Sequence, residues 1–402
     1  MRVLFVTWAW HSHFYPCVQL GWALRAAGHE VVVASQPALT DVIAASGLPA
    51  VAVGHDVDVG AMAGRYFSWL MRQERPVEWE EMRAWGVGNV ITYKRIAQAM
   101  TADTLRFARG WRPDLVVFDP TTYAGPLTAA ALGVPAARHI WGMDYTCRTR
   151  EFEDEALADM CAELGIGGVE TLGDVTVDPC PPSLQVPTPK PVRRLTMRHV
   201  PYNGPATVPE WLTRPASRRR VAVLGSSAVA SWGGQEPSLL PHVMAALADT
   251  DVEIVAIGED PGGGHRLPDG ATARLRLVDR LALHLLLPTC SALIHQGGGG
   301  AVMTALAAGV PQLILPRFTD HVFNARRVAE AGAARQIFAG DGDPALIRAE
   351  LDLLLGDNGH LRAAEKLSRE MAEQPSAAEV VDRLAGLAGQ AGQAAGLAAA
   401  RS

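Results

Sequence analysis

The run Ser291-Ala292-Leu293-Ile294-His295-Gln296-Gly297-Gly298-Gly299-Gly300 constrains this chain more than any other stretch. A short apolar segment, four successive glycines, then helically spaced apolar residues from Ala301 to Ala308 read as strand, tight turn and helix. Each glycine forgoes about 0.5–1 kcal/mol where it is frozen, so four in a row call for a reason. The close approach of an anion, most often a phosphate, to free backbone N–H groups at the positive end of a helix supplies one. A plain strand-to-helix turn is the alternative. No Gly-Lys-Ser/Thr follows, so this is not a Walker A loop. The first strand lacks G-x-G-x-x-G, which disfavours dinucleotide binding.

The amino end gives the same alternation. Arg2 to Thr7 is a short strand-like run, and Pro16 sits where a helix would start. Apolar residues recur at helical spacing from Val18 to Ala27, Gly28 stops the helix, and Glu30 to Ala34 is the next strand. Such a β-α-β unit implies a parallel sheet covered on both faces. The order returns in the second half, with strands at Arg220–Leu224 and Val252–Ile257 around a helix at Leu239–Leu247. The expectation is an α/β protein of two Rossmann-like domains. Prolines from Pro179 to Pro215 mark the crossing, since they do not fit helix interiors or central strands. Residues 1–205 and 206–382 are the expected domains. The Ala/Gly-rich residues 383–402 read as a frayed helix or disordered tail.

Composition narrows the function. The 402 residues are 49% hydrophobic and 19% charged, enough apolar material for two cores, and the net charge of −6 argues against a nucleic-acid partner. Cys17, Cys147, Cys161, Cys180 and Cys290 form no CxxC pair, so neither a disulfide framework nor a structural zinc site is expected. With no membrane span and no signal peptide expected either, a reduced, cytoplasmic protein is the natural expectation. Only Phe318, Phe323 and Phe338 carry aromatic rings beyond residue 232. An amino-terminal domain that binds a bulky apolar ligand would show this bias, as would one with an aromatic core.

The glycine run continues into Gly309-Val310-Pro311, Pro316, and Asp320-His321-Val322-Phe323-Asn324-Ala325. Together, His295-x-Gly-Gly-x-Gly, Ala-x-x-Gly-Val-Pro and Asp320-x-x-x-Asn324-Ala325 resemble the donor region of the GT-B glycosyltransferases of family 1. Asp178-Pro179-Cys180-Pro181-Pro182-Ser183-Leu184-Gln185 and Val200-Pro201-Tyr202-Asn203-Gly204 look like segments of actinomycete enzymes that attach deoxysugars to antibiotics. The resemblance implies two facing domains, acceptor in the first and sugar nucleotide in the second. It also implies an inverting, metal-independent transfer with no cofactor, the dTDP-sugar being a substrate. A homodimer is compatible with it.

Carried over residue by residue, the resemblance makes His13 the base, with His11 its rival and otherwise a pocket wall, and Asp119 the carboxylate that fixes its tautomer. A histidine near neutrality suits removal of the acceptor's proton. His295 and the backbone of Gly297, Gly298, Gly299, Gly300 and Ala301 are expected on the diphosphate, with Ser226 and Ser227 nearby. Asp320 and His321 are expected on the sugar, and the Leu281 backbone on the pyrimidine. Relatives have Gln where His321 stands, Thr where Ala301 stands, and Trp where Arg280 stands. The first departure fits a deoxysugar donor. Trp8, Trp10, His11, Phe14, Tyr15, Phe67, Trp69 and Trp141 are the candidate acceptor wall, suited to a polyketide or other apolar aglycone. C-transfer to an aromatic carbon and a non-catalytic activator of a partner transferase are the rival readings. A sugar-nucleotide epimerase is disfavoured by the Asp178–Gln185 segment.

Overall fold

The computed structural model describes residues 1–70, 73, 75, 77–188, 191–225, 239–258, 274–316, 319–338 and 342–399. They form two parallel sheets with helices on both faces. The first holds β1 (Arg2–Val6), β2 (Glu30–Ser35), β3 (Ala50–Ala52), β4 (Leu115–Phe118), β5 (Ala136–His139), β6 (Val175–Asp178) and β7 (Arg194–Thr196). The second holds β8 (Arg219–Leu224), β9 (Val252–Ile257), β10 (Leu275–Val278), β11 (Ala292–His295), β12 (Gln312–Ile314) and β13 (Ala334–Gln336). The orders are β3-β2-β1-β4-β5-β6-β7 and β10-β9-β8-β11-β12-β13. Both are the doubly wound order, in which the chain reverses direction beside the first strand of the sheet.

The strands read as unbroken apolar runs because each has two covered faces. In β1, Val3 and Phe5 enter one core with Phe14, Val18 and Leu24 of the first helix. Leu4 and Val6 enter the opposite core with Ile96 and Met100. In β11, Ala292 and Ile294 face one way and Leu293 the other.

Two expectations are corrected and one is filled in. The first helix spans His11–Ala26, not a start at Pro16, because the Trp10 carbonyl already accepts from the N–H groups of His13 and Phe14. His13 therefore rides on a helix rather than a loop. The proline-rich crossing, consistent with its expected lack of central strands, contains an edge strand, β7, which among the described residues pairs with β6 alone. An edge position is where neighbouring prolines are tolerated. The carboxyl-terminal stretch is a helix, Ala377–Ala399, and Val380, Val381 and Leu384 are fully buried in the core of the first sheet. Its small, polar composition hid a packed face that returns to the amino-terminal domain.

The two halves meet along a shared apolar seam. Met143, Cys180 and Leu184 from the first half pack with Val302, Met303 and Phe323 from the second. Asn203, in the crossing, accepts from the His284 N–H at 3.0 Å and reaches Thr304 at 3.3 Å.

Candidate active site

In a doubly wound sheet, ligands sit beyond the carboxyl ends of the strands where the order reverses. Here the two reversal points, after β1/β4 and after β8/β11, face one cleft. A cavity of about 600 Å³ lies there, bordered by Trp8, His13, Thr121 and Trp141 on one side and Gly225, Gln296, Gly298–Ala301, Asp320 and His321 on the other. Another hollow, at the amino ends of β1 and β2 beside Arg112 and Asp114, lies away from every residue discussed as chemical.

The amino-terminal side is built on β1, β4 and the first helix. Asp119, directly after β4, is buried, and its Oδ2 stands 3.0 Å from His13 Nδ1. Its Oδ1 accepts from the Thr121 N–H at 2.9 Å, the Thr121 hydroxyl at 2.6 Å and the Thr122 hydroxyl at 3.0 Å. Trp8 Nε1 is within 3.1 Å of His13 Nδ1 and 3.0 Å of Thr121 Oγ1. An indole nitrogen only donates. The Trp8 proton goes to Thr121 Oγ1 and the Thr121 proton to Asp119 Oδ1, which leaves Asp119 Oδ2 buried without a hydrogen bond. A proton on His13 Nδ1, 3.0 Å away, needs only a small turn of the ring to satisfy it. His13 Nε2 is then an unprotonated acceptor. The ring itself is clamped, stacked on Trp141 with centroids 4.1 Å apart and edge-on to Trp8.

The carboxyl-terminal side is the glycine turn. Gly297 has φ +99°, and a Cβ there would come within 3.0 Å of the His321 carbonyl oxygen and of Ile314. The helix begins at Gly299, so the N–H groups of its first turn have no partners within the helix. Gly299 admits no side chain either, since a Cβ would lie 2.9 Å from Trp141 Cδ1, whereas Gly300 faces open space. His295 is buried, with Nδ1 accepting from the Gly297 N–H at 3.1 Å and Nε2 donating to Gln312 Oε1 at 2.9 Å. Burial pushes its pKa down to about 4. Both ring nitrogens are thus committed. His295 shapes the turn from behind, and the expected direct grip on a diphosphate lacks a free nitrogen to make it. His321 lies against the turn, its Nε2 3.8 Å from a Cβ placed on Gly298, and burial lowers its pKa while Asp320 pulls the other way. Asn324 donates to the Gly297 carbonyl at 2.8 Å, which explains its place in the motif.

Other expected residues fall elsewhere. Phe14 is fully buried in the sheet core, because it lies on the helix face turned to β1. Tyr15 packs edge-on against Tyr202, and His11, exposed, against Tyr15, both beyond the described lining of the cleft. Partial desolvation of its ring against Tyr15, then the charge of Arg280, lowers the His11 pKa. Trp69 lies behind the wall, against Trp85, with ring centroids 4.9 Å apart. The Leu281 side chain packs against the carboxyl-terminal core, a placement compatible with the backbone contact expected of it. The Phe67 side chain and all of Ser226, Ser227 and Phe318 lie outside the described residues. Trp8, Trp10 and Trp141 do line the cleft, joined by Met62, Trp79, Met82, Trp85, Tyr93 and Tyr145, which sequence reasoning missed. Residues 79–93 carry the clearest overlooked signal, two tryptophans and a tyrosine within fifteen positions.

Comparison with known proteins agrees with this architecture. Residues 22–226 match the family model for the amino-terminal domain of erythromycin biosynthesis protein CIII-like proteins, and residues 241–387 that for the carboxyl-terminal domain. The chain is 37% identical to 10-deoxymethynolide desosaminyltransferase of Streptomyces venezuelae, over 96% of this chain and 97% of that one. It is 36% identical to aclacinomycin-T 2-deoxy-L-fucose transferase of Streptomyces galilaeus, over 96% and 95%. The glycosyltransferase VinC, solved in complex with dTDP, superposes with a TM-score of 0.80 at 35% identity, covering 97% of this chain and 100% of VinC. The two parallel α/β domains are the GT-B arrangement, and the chain belongs to the erythromycin biosynthesis protein CIII-like family of glycosyltransferases.

Proposed function

We propose that this enzyme moves a deoxysugar from a dTDP-sugar to a hydroxyl of a polyketide-type aglycone, with inversion and without a metal. The observation that carries the reading is the His13–Asp119 pair, 3.0 Å apart, facing a glycine turn across one cleft. His13 takes the acceptor's proton as the oxygen bonds to the anomeric carbon. The carbon–phosphate oxygen bond breaks, and dTDP leaves with its charge met by the N–H groups at the helix start beyond Gly298. The imidazolium is held by Asp119. Asp320, half-exposed, is the one carboxylate among the described residues that line the cleft, and it sits on the same side as the glycine turn. A two-step retaining route would need a nucleophile on the other side, so the placement supports the inverting reading. Asp320 and His321, which line the cleft beside the turn, are assigned to the sugar.

The wall supports the acceptor class. Tryptophan, tyrosine and methionine dominate it, and none of its described residues is Lys or Arg. Such a wall binds through apolar area. The dTDP held by VinC and the sugars named in the relatives support the donor.

The test offers purified enzyme several dTDP-deoxyhexoses and UDP-glucose with macrolactone and aromatic polyketide aglycones, read by mass spectrometry. The expected preference for a dTDP-deoxyhexose is at least about tenfold in kcat/KM, or about 1.4 kcal/mol. Activity should survive EDTA, and Asp320→Ala should reduce transfer more than it weakens dTDP binding. Equal use of UDP-glucose removes the donor reading, and a chelator loss restored by Mg²⁺ removes the metal-free one. An acid-stable product would mean C-transfer.

A further inference from the structure

One side chain touches both halves of the site. Trp141 stacks on His13 and lies so close to Gly299 that a methyl group there would meet its Cδ1 at 2.9 Å. The loop that carries it is anchored from three directions. Gly142 sits against Met303, where a Cβ would be 3.3 Å from Cγ. Met143 is buried in the seam between the domains. Asp144, 1% exposed, accepts from Arg138 at 2.6 and 3.2 Å and from Arg194 at 2.9 Å, and its own N–H donates to Gln185 at 2.9 Å. Arg194 also donates to Asp178 at 2.6 Å, and Gln185 donates to Asp178 at 2.9 and 3.0 Å. The first and last residues of the Asp178–Gln185 motif therefore close the clasp around the Trp141 loop. A buried ion-pair cluster adds little net stability over apolar packing, and its best-attested use is to hold one geometry. The geometry held here is that of Trp141.

We propose that Trp141 is a positioning residue that couples the His13 ring to the phosphate turn and keeps water from the anomeric carbon, with the Asp178–Gln185 clasp as its support. The inference rests on the glycosyl-transfer reading above. A base with a free Nε2 beside an activated anomeric carbon accepts a proton from water as well as from an aglycone hydroxyl. Hydrolysis would form a water oxygen–carbon bond, break the carbon–phosphate oxygen bond, pass one proton to His13 and release free sugar and dTDP. A flat ring between base and turn occupies the space such a water needs. Removing the ring leaves a polar-lined gap beside His13 that water can fill.

The partition between glycoside and free sugar tests this, measured together with dTDP affinity. Trp141→Ala should raise free sugar per glycoside at least about tenfold, a loss of the kind a small misplacement of reacting groups produces. It should bind dTDP as the wild type does, because the backbone turn is untouched. Trp141→Phe, which keeps a flat ring on His13, should hold the wild-type partition. Should the alanine variant not fold, Trp141→Leu keeps apolar volume without the flat stack and should leak in its place. Arg194→Lys, which keeps the charge but not the forked contact, should shift the partition in the same direction by less. An unchanged partition in Trp141→Ala, or an equal leak in Trp141→Phe, overturns the proposal. A wild-type enzyme that glycosylates from UDP-glucose alone would overturn only the donor reading, and the partition is then read with UDP-glucose.

Discussion

The two reversal points of this molecule are topological twins, and each carries a histidine, yet the histidines are opposites. His13 is part-exposed at the cleft, with a carboxylate 3.0 Å from one nitrogen and its ring on the cavity wall. His295 is 1% exposed, has both nitrogens committed to its own domain, and is held neutral by burial. Equal places in equal folds do not confer equal chemistry. What decides is whether a nitrogen is left over after local hydrogen bonding. In the proposed reading one half supplies a proton acceptor on a helix and the other oriented backbone N–H groups, with its histidine as scaffold.

The largest expected effect breaks the comparison directly. His13→Ala should lower transfer by about 10²–10⁴-fold, the usual worth of a positioned base, while dTDP affinity measured by calorimetry stays near wild type. His295→Ala should do the reverse in kind, loosening the turn and weakening dTDP. If His295→Ala lost turnover with dTDP binding intact and His13→Ala did not, the roles would have to be exchanged.

Next in size is Asp119→Asn. Three donors, one of them the fixed Thr121 N–H, converge on the Oδ1 position, so the amide oxygen must sit there. The amide nitrogen then faces His13 Nδ1 and donates to it. The ring proton moves to Nε2 and the base is lost. We expect roughly a 10²-fold fall in kcat with dTDP affinity unchanged. A wild-type rate in this variant would show that Asp119 does not set the tautomer.

How far this was readable beforehand depended on whether the information was local. Strands such as β1 and β11 announce themselves as apolar runs, and the glycine turn and His13 stand at positions that sequence alone marks. Asp119 is implied by the resemblance, but the groups that complete the two histidine sites are not marked, because Thr121 and Gln312 lie 108 residues from His13 and 17 from His295, and only the sheet brings them close. Phe14 and Tyr15 were misplaced for a related reason. With the helix starting at His11, neighbours of His13 point into the core or across to Tyr202 rather than into the cleft. Leu384 was lost in an Ala/Gly-rich tail whose periodic face is short.

A third experiment sharpens the contrast through pH. His295 has a folded-state pKa of about 4, below the unfolded value near 6.5, so the unfolded chain binds its proton first as pH falls. Its contribution to stability is complete above pH 6.5 and is lost progressively from 6.5 down to 4. Burial holds His139 and His199 at about 4 as well, so urea midpoints should fall between pH 7 and 5. His295→Gln, uncharged throughout, should flatten that slope by up to about 1.4 kcal/mol per pH unit. An unaltered slope would mean that His295 is not the buried neutral group described.

The smallest effects lie within the glycine turn, where two adjacent-looking glycines should respond in opposite ways. Gly297 occupies a positive φ and has no room for a Cβ, so Gly297→Ala should destabilise the fold by more than about 1 kcal/mol. Gly300 has ordinary helical backbone at the first turn of the helix and nothing within 4 Å of an added Cβ. Gly300→Ala should therefore leave stability unchanged or raise it by about 0.4–1 kcal/mol, since alanine has fewer unfolded conformations to lose. Its methyl group nevertheless projects beside the helix start, where the diphosphate is to be received, and it should raise the donor KM a few-fold. Thermal melts and donor titrations of the same variant separate the two. Stability and donor affinity moving in opposite directions would mean that Gly300 is kept open for a ligand. A variant that melts later and binds donor as well as wild type would place the diphosphate away from this turn, and the carboxyl-terminal reversal point would lose its claim to the donor.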